Sequence, residues 1–332
     1  MSLKEIAQMT GTSVSTVSKV LNDSYSTCAS KELKEKIWKA ANETGYTPNI
    51  NARNLKKGVA EVKKTRKIFV LMARIDNLEK DAFFKDLYYD LEIAVFKKGF
   101  LLDKTLGAAD IAQTDFSGCD GIIVLGRCSE KILKSLKAHT GNIVGIWRNP
   151  MDFAVDEIVC DGRKAAETAV LYLRKLGHKN IGYIGDCSYE TRYVGYSETM
   201  IREKLSIDYN YIVQTDQTKE EGALAMEKLL KEEGLTAVLC ANDMTALGAL
   251  ETLKKYRKKD RKKISVISID DIEEAQTTDP LLTTVHIPRM DMAHMAVEVL
   301  EDRLNHGHSE HIRVEFPCRI TERESCFECP RQ

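Results

Sequence analysis

Residues 2–22 read Ser2-Leu3-Lys4-Glu5-Ile6-Ala7-Gln8-Met9-Thr10-Gly11-Thr12-Ser13-Val14-Ser15-Thr16-Val17-Ser18-Lys19-Val20-Leu21-Asn22. Ser2-x-x-Glu5 is a capping box, and Leu3, Ile6 and Ala7 give the i, i+3, i+4 stripe of a short helix. Thr10-Gly11-Thr12 makes a compact turn. Ser13 can then cap a second helix through about Asn22, with Val17, Val20 and Leu21 on one side. Val14, Ser15, Ser18 and Lys19 are left on the other. A third helix starts after Ser30, buries Leu33, Ile37, Ala40 and Ala41, and stops at Gly45, a residue suited to a left-handed C-terminal cap. Three short helices with a tight turn between the first two predict a helix-turn-helix unit. A generic three-helix bundle would fit the apolar pattern as well. Against it stands the second helix, whose small hydroxyl side chains allow close approach to groove walls, with Lys19 in reach of base acceptors or phosphate.

Charge supports the same reading. The formal net charge of -1 over 332 residues conceals a balance of +6 in residues 1–66 and -7 in the remainder, a basic head on an acidic body. With 43% hydrophobic and 30% charged residues the chain is a folded protein of two or three domains. No apolar run approaches the length of a membrane span, and Met1-Ser2-Leu3-Lys4-Glu5 lacks the form of a signal peptide, so a cytoplasmic protein is expected. The nine cysteines, an odd and scattered set, fit reduced thiols. Cys326-x-x-Cys329 has metal-ligand spacing but no second pair, and His306, His308 and His311 stand in a polar stretch, so neither a metal nor a cofactor is expected.

From Lys67 onward apolar runs of strand length alternate with amphipathic helical stretches. Ile68–Met72, Gly121–Gly126, Ile143–Trp147, Ile181–Gly185, Ala237–Cys240 and Ile264–Ile269 are such runs. Continuous apolar strands between helices mean buried parallel sheets, enough here for two doubly wound α/β lobes. Ligands of such folds bind outside the carboxyl ends of the strands.

Leu3-Lys4-Glu5-Ile6-Ala7, Thr16-Val17-Ser18-Lys19-Val20-Leu21-Asn22 and Gly45-Tyr46-Thr47-Pro48-Asn49 resemble the DNA-binding head of the lac repressor family of bacterial transcription regulators. Asn49 to Gly58 resembles that family's hinge, a helix that orders on operator DNA and pushes a leucine into the minor groove. The resemblance gives that place to Leu55, flanked by Ala52 and Arg53, and an apolar wedge there would kink the duplex. It implies base reading by Val14, Ser15 and Lys19 and a backbone contact at Asn22, with Ser13 and Thr16 beside them. Most members carry arginine at the place of Lys19, and lysine lacks the fork that grips guanine twice. Residues 59–66 read as a charged linker.

The resemblance continues through Cys160-Asp161-Gly162, Leu176 to Gly185, Arg192-Tyr193-Val194-Gly195-Tyr196, Cys240 to Ala249, Ser268-Ile269-Asp270-Asp271 and Pro280 to Val285. It implies a body of the periplasmic sugar-binding type, two lobes closing on a small effector. The division is then 1–48 for the head, 49–66 for hinge and linker, and 67–332 for the body. Its first lobe takes about 67–157 and 286–317, and its second about 158–285 and 318–332. By position Arg192, Asn242 and Asp270 would bind effector, with Asp76, Trp147 and Arg148 facing the same cleft. Each also has a structural alternative: a helix start for Arg192, capping for Asn242 and Asp270, core packing for Trp147. Gln217 stands where several relatives carry an aromatic. Asp270-Asp271-Ile272 and Val285-His286-Ile287-Pro288 resemble the branch that governs galactoside use. A nucleobase, a sugar phosphate or a protein corepressor are the alternatives.

A dimeric repressor of carbohydrate-use genes on a near-palindromic operator, with half-sites about 34–36 Å apart or at related spacings, is therefore expected. The chain ends at Pro330-Arg331-Gln332 without the leucine heptads of tetrameric relatives. An enzyme with an appended head is the rival class, but no phosphate-loop, dinucleotide, nucleophile-elbow or zinc-protease motif is present, and none of its residues is expected to be catalytic. If Leu55 is the wedge, Leu55→Ala weakens binding to a specific operator much more than to random duplex. Paired filter-binding or anisotropy titrations at one salt concentration check this, and equal losses would remove the wedge role.

Overall fold

Ser2, Ser13 and Ser30 each precede a helix, and each does so by local hydrogen bonding. In the computed structural model, which describes residues 2–22, 28–44, 46, 65–73, 81–188, 190–257 and 263–329, the helices are α1 (Leu3–Thr10), α2 (Val14–Asn22) and α3 (Lys31–Glu43). The Ser2 amide donates to Glu5 Oε2 at 2.7 Å, and the Ser13 and Ser30 hydroxyls accept from the Thr16 and Leu33 amides at 3.0 and 3.3 Å. Gly11, at φ +64°, closes α1 in the left-handed region. The expected hinge with Ala52, Arg53 and Leu55, the cap at Gly45 and the cleft candidate Asp76 lie outside the described residues.

The head does not close its core alone. Ile6, Val17, Val20, Leu21, Ile37, Trp38 and Ala41 form one buried cluster with Ile93 and Phe96, which belong to α4 (Ala82–Lys98) of the body. Trp38 meets Phe96 edge-on at 4.9 Å between ring centroids, and Tyr46 lies 6.0 Å from the same ring. About forty residues bury too little surface to be comfortably stable on their own, and α4 supplies the missing apolar wall.

Two six-stranded sheets make up the body. The first has the order β11-β5-β4-β3-β1-β2, from β1 (Lys67–Met72), β2 (Leu101–Gly107), β3 (Gly121–Leu125), β4 (Ile143–Trp147), β5 (Asp156–Val159) and β11 (Arg313–Glu315). The second has the order β12-β10-β9-β8-β6-β7, from β6 (Ile181–Gly185), β7 (Ile212–Gln214), β8 (Ala237–Cys240), β9 (Ser265–Asp270), β10 (Thr283–His286) and β12 (Arg319–Thr321). Its strands β7, β6, β8, β9 and β10 run parallel, and only β12 is antiparallel to its neighbour. The central strands are buried along their whole length, which is why they read as unbroken apolar runs. Helices α5 (Glu130–Lys137), α6 (Gly162–Lys175), α7 (Thr191–Arg202), α8 (Lys219–Leu229), α9 (Asp243–Arg257) and α10 (Arg289–Leu304) complete the two α/β layers. None of the described helices is long and apolar enough to cross a membrane.

By internal contacts the chain forms two units. One holds Met1–Trp147, Met151–Ile158 and Arg289–Val314, head included; the other holds Arg148–Pro150, Val159–Pro288 and Glu315–Gln332. In the first unit the Trp147 indole is 2% exposed and folds back over Gly145, where a Cβ would overlap the ring. Overpacking of this kind costs about 1–3 kcal/mol. Gly145→Ala is accordingly expected to lower the unfolding free energy by that amount in urea titrations and to shift tryptophan emission as the indole is displaced.

Candidate functional site

On α2 the apolar side faces inward and the other side is open. Val17, Val20 and Leu21 are buried, whereas Ser13, Ser15, Lys19 and Val14, the last 42% exposed, face solvent. Thr16 is half-buried, and its hydroxyl lies 2.9 Å from that of Ser13, which in turn lies 2.9 Å from Ser15 Oγ. Asn22 is the last residue of the helix. The exposed face therefore carries short hydroxyls, one small apolar group suited to a thymine methyl and one cation, the kinds of group that read base edges or grip phosphate.

The second candidate site follows from topology. Because β6, β7, β8 and β9 are parallel, their carboxyl ends share one edge of the second sheet. The residues that leave those ends are Asp186 to Arg192, Thr215 to Gln217, Ala241-Asn242 and Asp270-Asp271. Arg192, 3% exposed at the start of α7, is the centre of this edge. Its Nε donates to Glu190 Oε1 at 3.1 Å, one terminal nitrogen to the Ala241 carbonyl at 2.6 Å, and the other to Gln217 Oε1 at 2.8 Å. Burial pushes the Glu190 carboxyl up, but the Arg192 guanidinium, with Arg148 beyond it, more than offsets this and holds it at about 2.

Asn242 connects the neighbouring turns. Its Oδ1 accepts from the Thr245 amide and hydroxyl at 2.9 and 2.6 Å, capping α9, while its Nδ2 donates to the Gln217 carbonyl at 3.2 Å. Gln217 has φ +65°, a left-handed conformation that costs energy for a residue with a side chain. At the end of β9 Asp270 and Asp271 have φ +135° and +59°. Two successive residues in that region need an anchor, and Asp243 provides it. Asp243 is fully buried and accepts from the Ser268 and Thr284 hydroxyls and, at 2.8 Å, from the Ile272 amide. Asp271 binds His286 Nδ1 at 2.8 Å and Arg323 at 2.6 Å. Asp270, 3% exposed, pairs with Arg148 at 3.0 Å.

Arg148, Arg192, Gln217, Asn242 and Asp270 thus stand on one edge of the second unit. Trp147 does not join them: its indole lies in the core of the first unit and donates to Glu157 Oε1 at 3.2 Å. Its burial there is the packing that its sequence position also allowed. Residues that sequence reasoning missed are Glu190, Asn149, Asp243 and Tyr183. Glu190 carried a signal, since it occupies the cap position of the helix that Arg192 opens. Asn149 accepts the Thr191 hydroxyl, and Gly162 leaves room for that contact because a Cβ there would stand 3.0 Å from Asn149 Oδ1. The Tyr183 hydroxyl is buried on β6 without a hydrogen-bond partner among the described residues. Its ring lies 5.2 Å from that of Tyr193, which is half-buried.

The arrangement sets two guanidiniums against two carboxylates, with an amide on either side. It can offer both donors and acceptors, and its formal charge is balanced.

Comparison with known proteins matches both parts of the chain. Residues 2–49 match the family described as "Bacterial regulatory proteins, lacI family", and residues 170–326 match "Periplasmic binding protein-like domain". A curated relative, the "HTH-type transcriptional repressor PurR" of Klebsiella pneumoniae (strain 342), is 28% identical over 99% of this chain and 97% of its own length. Its namesake in Vibrio atlanticus is 29% identical over 97% and 98%. Among solved structures, a "transcriptional regulator CelR-cellobiose complex" superposes with a TM-score of 0.69 at 22% identity, covering 98% of this chain and all of the other. The lac repressor dimer bound to operator and the anti-inducer ONPF superposes with a TM-score of 0.69 at 20% identity, over 98% and 99%. These likenesses establish the fold.

Glu190→Gln removes the charge that pairs Arg192, and breaking a buried pair costs about 3–5 kcal/mol. Because the folded carboxyl lies below its ordinary value of 4.5, its stabilisation is present above that value and is lost as pH falls toward about 2. Urea titrations are expected to show the variant less stable at pH 7, with a shallower loss of stability between pH 4.5 and 2 than the parent.

Proposed function

We propose that this chain, a lacI-family bacterial regulator and DNA-binding transcriptional repressor, is switched by a small neutral polyhydroxylated effector, a sugar. The effector is held at the carboxyl edge of the second sheet by Arg192, Gln217, Asn242 and Asp270, with Arg148 beside them. The chain is a regulator and not an enzyme, as are the repressors that match it end to end. The observation that carries the effector reading is the balance of the site. Arg148 and Arg192 are already matched by Asp270 and Glu190, so a charged ligand would leave a buried charge uncompensated, whereas hydroxyls exchange hydrogen bonds without altering the sum. That argument places sugars ahead of sugar phosphates. Two solved structures of this fold hold sugars, cellobiose in one and ribose in the other. Among sugars a galactoside is the first to try, on the strength of the Asp270-Asp271-Ile272 block.

A neutral nucleobase is the second reading, favoured by the half-buried Tyr193, which offers an aromatic face beside the Tyr183 hydroxyl. DNA is read by the exposed face of α2, through Val14, Ser15 and Lys19 with Ser13, Thr16 and Asn22 adjoining, and Ala52, Arg53 and Leu55 follow it into the minor groove. We further propose a homodimer on a near-palindromic operator; the lac repressor whose structure superposes on this chain is itself a dimer bound to operator.

A ligand that binds only the folded chain stabilises it by about 2.7 kcal/mol at a hundred times its dissociation constant. A thermal-shift panel of galactosides, other mono- and disaccharides, sugar phosphates and nucleobases is expected to give its hits among the neutral sugars. In Arg192→Ala the same sugars no longer raise the midpoint above that of the ligand-free variant, while binding to duplex DNA persists. Hits confined to nucleobases would replace the sugar reading by the second one, and hits confined to phosphates would overturn the charge argument.

A further inference from the structure

Apart from the short excursion at Arg148–Pro150, the chain passes between its two units at Ile158/Val159, Pro288/Arg289 and Val314/Glu315, and two of these passages run side by side. Strands β5 and β11 are adjacent in the first sheet, with the Glu157 amide donating to the Ile312 carbonyl at 2.9 Å and the Phe316 amide to the Val159 carbonyl at 2.8 Å. Within the second unit, Cys160 directly follows β5 and Cys318 stands three residues beyond β11. Cys160 is fully buried and Cys318 half-buried, and the two thiols are close enough for each to shift the ionisation of the other. The Thr168 hydroxyl of α6 lies 3.6 Å from Cys318 Sγ.

We propose that Cys160 and Cys318 form a peroxide-sensitive dithiol, with Cys318 the reacting thiol and Cys160 the resolving one. Exposure assigns the roles, since Cys318 is half-buried whereas Cys160 is fully buried. The electrostatics agree: contact with Cys160 and the Thr168 hydroxyl lowers the Cys318 thiol against burial and the nearby Asp161 carboxylate, while the Cys160 thiol is pushed up. The Lys164–Glu315 pair at 2.6 Å flanks the same place. In the reaction the Cys318 thiolate attacks one oxygen of hydrogen peroxide, hydroxide leaves, and Cys318 becomes a sulfenic acid. The Cys160 sulfur then attacks the Cys318 sulfur and its hydroxyl leaves as water, so that two thiols and one peroxide give one disulfide and two waters. The bond joins two of the segments that pass between the units, and a thiol reductant reverses it.

The test uses the full-length chain. Trypsin cuts after Arg148, Arg163, Arg313 and Arg319, which isolates Cys160 in 149–163 and Cys318 in 314–319. After treatment with about one equivalent of hydrogen peroxide and alkylation, mass spectrometry is expected to find these two peptides linked. The link runs within a single chain on a non-reducing gel, and forms ahead of any adduct at the exposed Cys28. Hydrogen exchange of the amides in both segments slows on oxidation and recovers with dithiothreitol. Cys160→Ser accumulates a dimedone-trapped sulfenic acid at Cys318, and Cys318→Ser protects Cys160 from oxidation. Since replacing a buried thiol can impair folding, the peptide link and the exchange are read on the unaltered chain. Oxidation of Cys28 without a 149–163 to 314–319 link, or a sulfenic acid at Cys160 in Cys318→Ser, would overturn the proposal.

Discussion

A guanidinium that is 3% exposed has to be given its hydrogen bonds by the protein, and much of the second unit's carboxyl edge is arranged around that demand at Arg192. Glu190 answers it from the cap of the same helix, Ala241 with the carbonyl that follows β8, and Gln217 with a side-chain amide from the turn beyond β7. Three loops that are separate in sequence are thereby tied to one cation. Asn242 then binds the Gln217 carbonyl, so the loops are also tied to one another. For the effector site proposed here, loops held together in this way limit the ordering cost of binding.

The same economy explains the strained backbone beside it. Gln217, Asp270 and Asp271 all have positive φ although none is glycine. Each is held by a bond to a neighbour: Gln217 through Asn242, the Asp270-Asp271 turn through the buried Asp243 carboxylate and through His286 and Arg323. Burial raises the Asp243 carboxyl to about 6, against the hydrogen bonds of Ser268, Thr284 and Ile272 that favour its charged form. The surrounding network over-determines these conformations, as is typical where strain accompanies a binding edge. With Arg148 on Asp270 and Glu190 on Arg192, each of these two guanidiniums is matched by a carboxylate.

How far this was legible in the sequence depends on the range of the interaction concerned. The head's helices were, because Ser2, Ser13 and Ser30 cap them within three residues and Gly11 ends the first. The buried parallel strands were, because burial on both faces leaves runs such as Ile181-Gly182-Tyr183-Ile184-Gly185 without polar interruption. Arg148, Arg192, Gln217, Asn242 and Asp270 could be singled out because they follow strand ends or matched a family pattern. Their partners could not. Glu190 looks like any acidic cap until Arg192 folds back on it, and Trp147, equally well placed after a strand, lies instead in the space that Gly145 leaves. Trp38 drew no attention because the ring it meets, Phe96, lies on the far side of the linker. The contact between Cys160 and Cys318 is likewise a product of strand pairing between distant segments.

Trp38 bears on the DNA-binding end as well. It is 1% exposed and Phe96 is 2% exposed, so the head's third helix and α4 share one apolar interior. Separating them would return two large aromatic surfaces to water, and fully burying a side chain of this size is worth about 1.5–3 kcal/mol. In this arrangement the face of α2 with Val14, Ser15 and Lys19 stays open. The contact therefore holds the head without covering the face proposed to meet DNA. Its orientation is set by the packing of α3 on α4, and a head released from α4 would have to regain that order on the duplex, at the cost of the affinity that a pre-ordered surface keeps.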